Sequence, residues 1–162
     1  MIRRTRTLQL LLLTIVLLGF MFSGNAQSRS NDVAVVVNPA APVSDLTLSQ
    51  ARRIFRGDQQ YWNADLPIVL LVRNPPSRER DVILKQLYSM TEAEFKQYWI
   101  AKIFRAEATS GPKIVYSNSM AADLVKVIPG AIAFMAARDV DPGLKVVKID
   151  GHLPGDPQYP LR

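Results

Sequence analysis

An α/β fold, with a mixed sheet flanked by helices, is the architecture this sequence predicts, and three observations carry it. Apolar, strand-like runs recur at Val33 to Val37, Ile68 to Val72, Ala131 to Met135 and Leu144 to Ile149. Between them lie helical stripes that open on their own start signals, at Thr47, Ser77, Thr91 and Ser117 or Ser119. Proline and glycine punctuate nearly every junction. Strands alternating with helices argue for a layered α/β domain rather than for segregated sheets and bundles. The sequence contains no internal repeat and no low-complexity segment.

The first element is not part of that domain. Arg3, Arg4 and Arg6 precede an apolar run from Leu10 to Phe22, and Ser23-Gly24-Asn25-Ala26 follows with small residues at the positions a signal peptidase needs. A spanning helix wants about 20 apolar residues; this run is shorter and ends in a polar cleavage site. The expectation is a signal peptide over residues 1–26, cut after Ala26, no membrane anchor after cleavage, and a periplasmic mature chain. Removing 26 of 162 residues leaves 136, enough for one core. The formal charge of +6 falls to +3 when the three arginines leave, and the remaining charges are mixed along the chain, so no nucleic-acid partner is expected. The chain has no cysteine, which excludes a lipidated anchor, a disulfide framework and thiol chemistry.

Residues 27–32 read as a polar, mobile leader, and the domain proper is expected over 33–150. Val33 to Val37 is a buried strand closed by Asn38-Pro39. Thr47-Leu48-Ser49-Gln50 is a capping box for a helix that buries Leu48, Ala51, Ile54 and Phe55 and stops at Gly57. Gln59 to Ala64 reads as a loop carrying Tyr61 and Trp62. The strand after Pro67 ends in the turn Arg73-Asn74-Pro75-Pro76-Ser77, where Ser77 caps a helix reaching about Tyr88. A second capping box, Thr91 to Glu94, opens a helix whose stripe of Phe95, Tyr98, Trp99, Ile103 and Phe104 is expected in the core. Thr109-Ser110-Gly111-Pro112 breaks the chain before a short strand, Ile114 to Tyr116. A helix through Ala121, Ala122, Leu124, Val125 and Val127 turns at Pro129-Gly130 into the next strand. Residues 151–162, with Pro154, Pro157 and Pro160, read as an extended, non-helical tail.

Catalytic chemistry has little to stand on. His152 is the single histidine and lies in the Gly- and Pro-rich tail, and no HExxH, GxSxG, P-loop or GxGxxG spacing occurs. Acidic residues form no metal-ligand pattern, so no metal, no cofactor and no enzymatic activity are expected. The sharper feature is Val72-Arg73-Asn74-Pro75-Pro76-Ser77-Arg78, a cation and a hydroxyl between a strand end and a helix start. Free backbone N–H groups and the helix dipole favour anions at such a junction, and open α/β sheets place ligand crevices at the carboxyl ends of their strands. Arg73, Asn74, Ser77 and Arg78 are therefore the candidate ligand-binding residues; a plain helix cap beside a surface arginine is the alternative.

The order of segments resembles one lobe of the phosphate-type substrate-binding proteins of bacterial ABC transporters, in the periplasmic-binding-protein superfamily. Four stretches carry the resemblance: Val35-Val36-Val37-Asn38-Pro39, similar to a lobe-crossing strand; Leu46-Thr47-Leu48 through Ile54-Phe55-Arg56-Gly57 to Trp62; Arg73…Ser77; and Val127-Ile128-Pro129-Gly130-Ala131-Ile132-Ala133-Phe134. It covers roughly residues 33–150 and implies a single periplasmic-binding-protein-like lobe. Against the family's Arg-x-Asp-Gly-Ser-Gly-Thr anion loop, Arg73 and Ser77 match, while Pro75 stands for the Asp, Pro76 and Arg78 for the glycines and Glu79 for the Thr. Prolines donate no N–H, and a carboxylate at Glu79 would repel an anion. Family members have two lobes, and the first lobe's glycine- and serine-rich anion segment has no counterpart here. The resemblance implies phosphate or another small anion as ligand and an ABC transporter or envelope protein as partner. A non-catalytic interaction module that kept the lobe and lost the ligand is the alternative.

Overall fold

A computed structural model describes residues 31–162. The expected signal peptide and most of the leader therefore lie outside the described residues. The chain builds a six-stranded mixed sheet from β1 (Val33–Val37), β2 (Asp45–Leu46), β5 (Val69–Arg73), β6 (Lys113–Val115), β7 (Ala131–Ala136) and β8 (Lys145–Ile149), in the order β2-β8-β1-β7-β5-β6. β1 runs antiparallel to β7 and β8, whereas β5 is parallel to both β7 and β6. The strands β3 (Tyr61–Asn63) and β4 (Leu66–Pro67) form a separate small hairpin, so the segment read as a loop is partly strand. Among the described residues four α-helices flank the sheet: α1 (Leu48–Phe55), α2 (Arg78–Ile83), α3 (Glu92–Phe104) and α4 (Asn118–Val127).

The sheet has apolar packing on both faces, and its sequence says why. β1 is buried at every residue, and so is β7, as expected of strands covered on two sides. Alternation sends Val33, Val35, Val37, Ile132 and Phe134 to one core with Ile54, Phe55, Ile83, Phe95 and Trp99, from α1, α2 and α3. Ala34, Val36, Ala133 and Met135 go to the other, under Ala121, Ala122 and Val125 of α4. Small residues predominate on the α4 face, which lets that helix approach closely. Burial of each large side chain in these layers contributes on the order of 1.5–3 kcal/mol.

The helix starts form as their caps predict. Thr47 with Gln50 and Thr91 with Glu94 make complete capping boxes, and Ser77 and Ser117 accept from the N–H groups of Arg80 and Met120. The second helix departs from expectation: its α-helical part ends at Ile83 and a π-helical turn, Leu84–Tyr88, carries it on. That turn seats Tyr88 in the core, where its hydroxyl donates to the Phe55 carbonyl and burial pushes its pKa far up. Ile103 and Phe104 also depart: α3 turns Phe95, Trp99 and Lys102 into the core, and Phe104 lies half a turn round the helix from Phe95, facing away from it, with Ile103 exposed beside it. Val127, the last residue of α4, is also exposed.

The two ends of the domain are tied together. Asp32, assigned to the leader, is buried and accepts from Gly155 N–H at 2.7 Å. The segment read as a tail is non-helical, and its Tyr159 and Leu161 are buried. Val33 N–H donates to the Leu161 carbonyl at 2.8 Å and the Tyr159 hydroxyl to the Val33 carbonyl at 2.9 Å. His152 Nδ1 sits 3.0 Å from Asp156 Oδ2 and clips a turn of this segment.

Candidate functional site at the carboxyl ends of the parallel strands

The three parallel strands β7, β5 and β6 end side by side, and the residues that follow them form one edge of the molecule. β5 stops at Arg73 because Pro75 and Pro76 have no N–H with which to continue a ladder. Asn74 still donates its N–H to the Val115 carbonyl at 2.8 Å, and its side-chain amide donates to the Pro75 carbonyl at 2.9 Å. Ser77, half-buried, spends its acceptor on the Arg80 N–H at 3.2 Å.

Arg73 is the unusual member. Its Nε and Nη1 are buried and make no hydrogen bond among the described residues. Alternation along β5 puts the side chain with Leu71, on the face covered by α4, whereas α2 packs on the opposite face with Val72. Arg73 and the Ser77-capped helix start therefore belong to one strand end but to different sides of the sheet. Arg78 is exposed and donates to the backbone carbonyl of Asn31. Of the four residues singled out from the sequence, Arg73 alone has buried donors without a partner; Asn74, Ser77 and Arg78 are engaged locally.

Around Arg73 the structure gathers residues the sequence reading missed. Asn118, the first residue of α4, donates its amide to Asp139 Oδ2 at 2.8 Å. Asn118 follows β6 and Asp139 follows β7, so this bond passes over the end of β5, which lies between them. Its Oδ1 is buried and unpartnered. Arg138 donates to Asn31 Oδ1 at 3.1 Å. The signal that could have found this set is sheet order: once β6, β5 and β7 are known to be parallel neighbours, the residues after each become one cluster.

A further arginine, Arg80, holds the loop from behind. It is 2% exposed, grips Glu92 through Nε at 2.7 Å and Nη2 at 3.0 Å, and donates Nη1 to the Arg73 carbonyl at 2.6 Å. Its guanidinium lies 4.6 Å from the centre of the Phe95 ring. A paired, stacked and saturated arginine is structural. The same residue type thus plays two parts here, and partnering distinguishes them.

A cleft of about 160 Å³ lies at the other end of β5, lined by Gly57, Tyr61, Pro67, Trp99, Thr109 and Lys113 among others. It is smaller than the roughly 300–1,000 Å³ of ordinary small-molecule sites. It is also at the amino end of the parallel strands, where open α/β sheets do not place ligands. The carboxyl edge is the better candidate.

The family-like stretches can now be placed. Gly57 ends α1 at φ 70°, a conformation that favours glycine, and a Cβ there would meet the Trp99 ring at 2.7 Å. Trp62 donates its indole N–H to the Gly130 carbonyl at 3.1 Å. Gly130 lies so close to the backbone of Pro67 that a Cβ would stand 1.9 Å from its carbonyl oxygen. Asn38, buried after β1, donates to the Val125 and Lys126 carbonyls at the end of α4, at 2.8 and 3.0 Å. These motifs fix packing at the amino ends of β5 and β7.

Comparison with solved structures gives the same architecture. The chain is similar to a protein from Clostridium perfringens with bound phosphate, assigned as a phosphate ABC transporter substrate-binding protein, at 24% identity and TM-score 0.62 over 78% of this chain and 48% of that one. It is similar to an ABC-type phosphate transport receptor from Vibrio cholerae at 24% identity and TM-score 0.61, over 78% and 49%. With PstS from Borrelia burgdorferi it shares 17% identity and a TM-score of 0.58, over 76% and 49%. At these identities the likeness is one of fold, and the chain spans about half the length of the structures it matches. Residues 29–158 match the PBP superfamily domain, and the chain belongs to that superfamily.

Proposed function

We propose that the chain is an exported, non-catalytic binding domain that takes phosphate or a similar small oxyanion at the carboxyl edge of β7, β5 and β6. The observation that carries this reading is Arg73, a cation whose buried Nε and Nη1 have no partner among the described residues. A buried charged donor left unmatched costs more than a matched one returns, so such a group is retained where a ligand satisfies it. A tetrahedral anion at this edge would accept from the Arg73 guanidinium, while Asn118 Oδ1 offers an acceptor to a protonated oxygen. The phosphate-binding relatives support the ligand class by analogy of fold. An anion at an edge open to water is expected to bind with an affinity on the order of millimolar that falls with added salt.

The test is calorimetry of the processed protein with phosphate and with sulfate, alongside an Arg73→Met variant. Heat with phosphate that disappears in the variant supports the reading; no heat at tens of millimolar (roughly the weakest affinity of interest) overturns it. Export rests on residues 1–26 and is tested separately, by fractionating cells that express the full chain. An ABC transporter is the partner that the family analogy suggests, and capture of the transporter from membranes tests it. A second reading, an interaction module without ligand, is favoured by one observation: Pro75 and Pro76 stand where the family's anion loop supplies an acid and a glycine. Absence of anion binding together with capture of an envelope protein would decide for it.

A further inference from the structure

The carboxyl edge holds an unmatched acceptor as well as unmatched donors. Among the described residues, Asn118 Oδ1 is buried and unpartnered, as are Arg73 Nε and Nη1. A buried polar atom of either kind is costly to leave unmet, and both kinds lie at the end of β5. Arg73, the last residue of β5, aligns with Val115 in the β5–β6 register, on the face that α4 covers. Asn118 opens α4 three residues beyond Val115, and its side chain reaches over the end of β5 to Asp139, which follows β7. The amide of Asn118 thus spans the strand end from which the Arg73 side chain leaves.

We infer that Asp139, acting through Asn118, sets which oxyanions this edge takes, and that it selects those carrying a proton. The inference rests on the reading of Arg73 as the anion's cation and adds a filter to it. A carboxylate can only accept, so of the two ends of the Asn118 amide the nitrogen is the one that faces Asp139. Nδ2 donates to Asp139 Oδ2 at 2.8 Å, and Arg138 Nε lies 3.9 Å from the other carboxylate oxygen. With its nitrogen spent, the amide turns its oxygen away from Asp139, and it cannot rotate without breaking a charge-assisted bond. Asn118 therefore presents a fixed acceptor beside the unmatched cation. An incoming anion has to accept from Arg73 and donate to Asn118. Phosphate does both, because each of its forms at neutral pH keeps a P–O–H. Sulfate carries no proton there; its oxygens would stand acceptor against acceptor with Oδ1 and seal that atom in without a partner. A site built to bond a hydroxyl rejects the analogue lacking one for this reason. Asp139 is a positioning residue: it bonds the amide rather than the anion, and it decides whether the amide shows its oxygen or its nitrogen.

Calorimetry of the processed protein at neutral pH, with phosphate and with sulfate, tests this when Asp139→Ala and Asn118→Leu are measured beside the unchanged chain. The unchanged chain should favour phosphate by at least about tenfold. In Asp139→Ala the amide is free to turn its nitrogen to the anion, so sulfate should bind more tightly and the preference should fall to about threefold or less. Asn118→Leu removes the acceptor outright and should bring the two anions equally close. A merely structural role for either residue would weaken both anions together and leave their ratio alone. Asp139 is exposed and Asn118 half-buried, so circular dichroism should stay that of the folded chain. Equal affinity for the two anions in the unchanged chain overturns the inference and leaves the Arg73 site standing. A preference that survives either substitution overturns it as well. No heat with either anion overturns the site itself, and the filter with it.

Discussion

The two ends of the parallel strands differ in how their polar groups are spent. At the amino ends of β5 and β7, Trp62 bonds the Gly130 carbonyl, Asn38 bonds two carbonyls of α4, and Gly130 lies against Pro67 with no room for a methyl group. At the carboxyl ends, Arg73 and Asn118 keep buried atoms without partners. The amino end is tight and, among the described residues, leaves only the neutral indole N–H of Trp99 unmatched; the carboxyl end leaves two donors of a cation and an amide oxygen. A fold can carry unmet donors at one edge when the opposite edge fixes its strands.

Substitutions can break that comparison. Gly130→Ala should be the most damaging, because its Cβ would overlap the Pro67 carbonyl and two strand starts would have to move; a loss of about 3 kcal/mol or more is expected in urea denaturation. Asn38→Ala leaves two carbonyls at the end of α4 without their buried donor and should cost about 2 kcal/mol. Arg73→Met, at the other end, should move stability by less than about 1 kcal/mol in either direction, since it removes unmatched donors, while abolishing anion binding. If Arg73→Met proved as destabilising as Gly130→Ala, the two ends would not differ in kind.

The smallest effect expected is one of pH, at the clip between His152 and Asp156. The Asp156 carboxyl is held below its ordinary value of 3.8, first by the Gln158 backbone N–H and then by His152. A carboxylate with a depressed folded value contributes stability that is full above the unfolded value and is lost as pH falls through the folded one. Protection factors of the amides in residues 152–159, taken relative to the intrinsic exchange rate at each pH, should therefore fall as pH drops below the ordinary aspartate value, and Asp156→Asn should flatten that change while leaving protection in β1 and β7 untouched.

Much of the fold was legible because its signals are local. The capping boxes at Thr47 and Thr91 declare helix starts within four residues, and the continuous apolar runs of β1 and β7 declare strands buried on both faces. The hairpin of β3 and β4 was not legible, because Tyr61-Trp62-Asn63 has no period that distinguishes it from a loop. Phe104 was misplaced because it lies half a turn round α3 from Phe95 and so belongs to the face opposite the core. Of the candidate site, the sequence offered Arg73, Asn74, Ser77 and Arg78 and nothing beyond that loop. Asn118, Arg138 and Asn31 come from three separate stretches of chain, and strand order, a long-range property, brings them to one edge. Nor could sequence separate Arg73 from Arg80: they lie seven residues apart, and only packing decides that one is saturated and the other is not.

Val33 and Leu161 lie hydrogen-bonded to each other, with the Tyr159 hydroxyl closing over the same strand. Entry to and exit from the domain thus share one doorway. A polypeptide that detours into this lobe returns almost to where it left, so the lobe can be spliced into a loop of a host protein at little geometric cost. By the same geometry, a short linker from residue 161 to residue 33 would allow new termini to be opened in the exposed turn at Asp141 to Gly143 without parting any strand of the sheet.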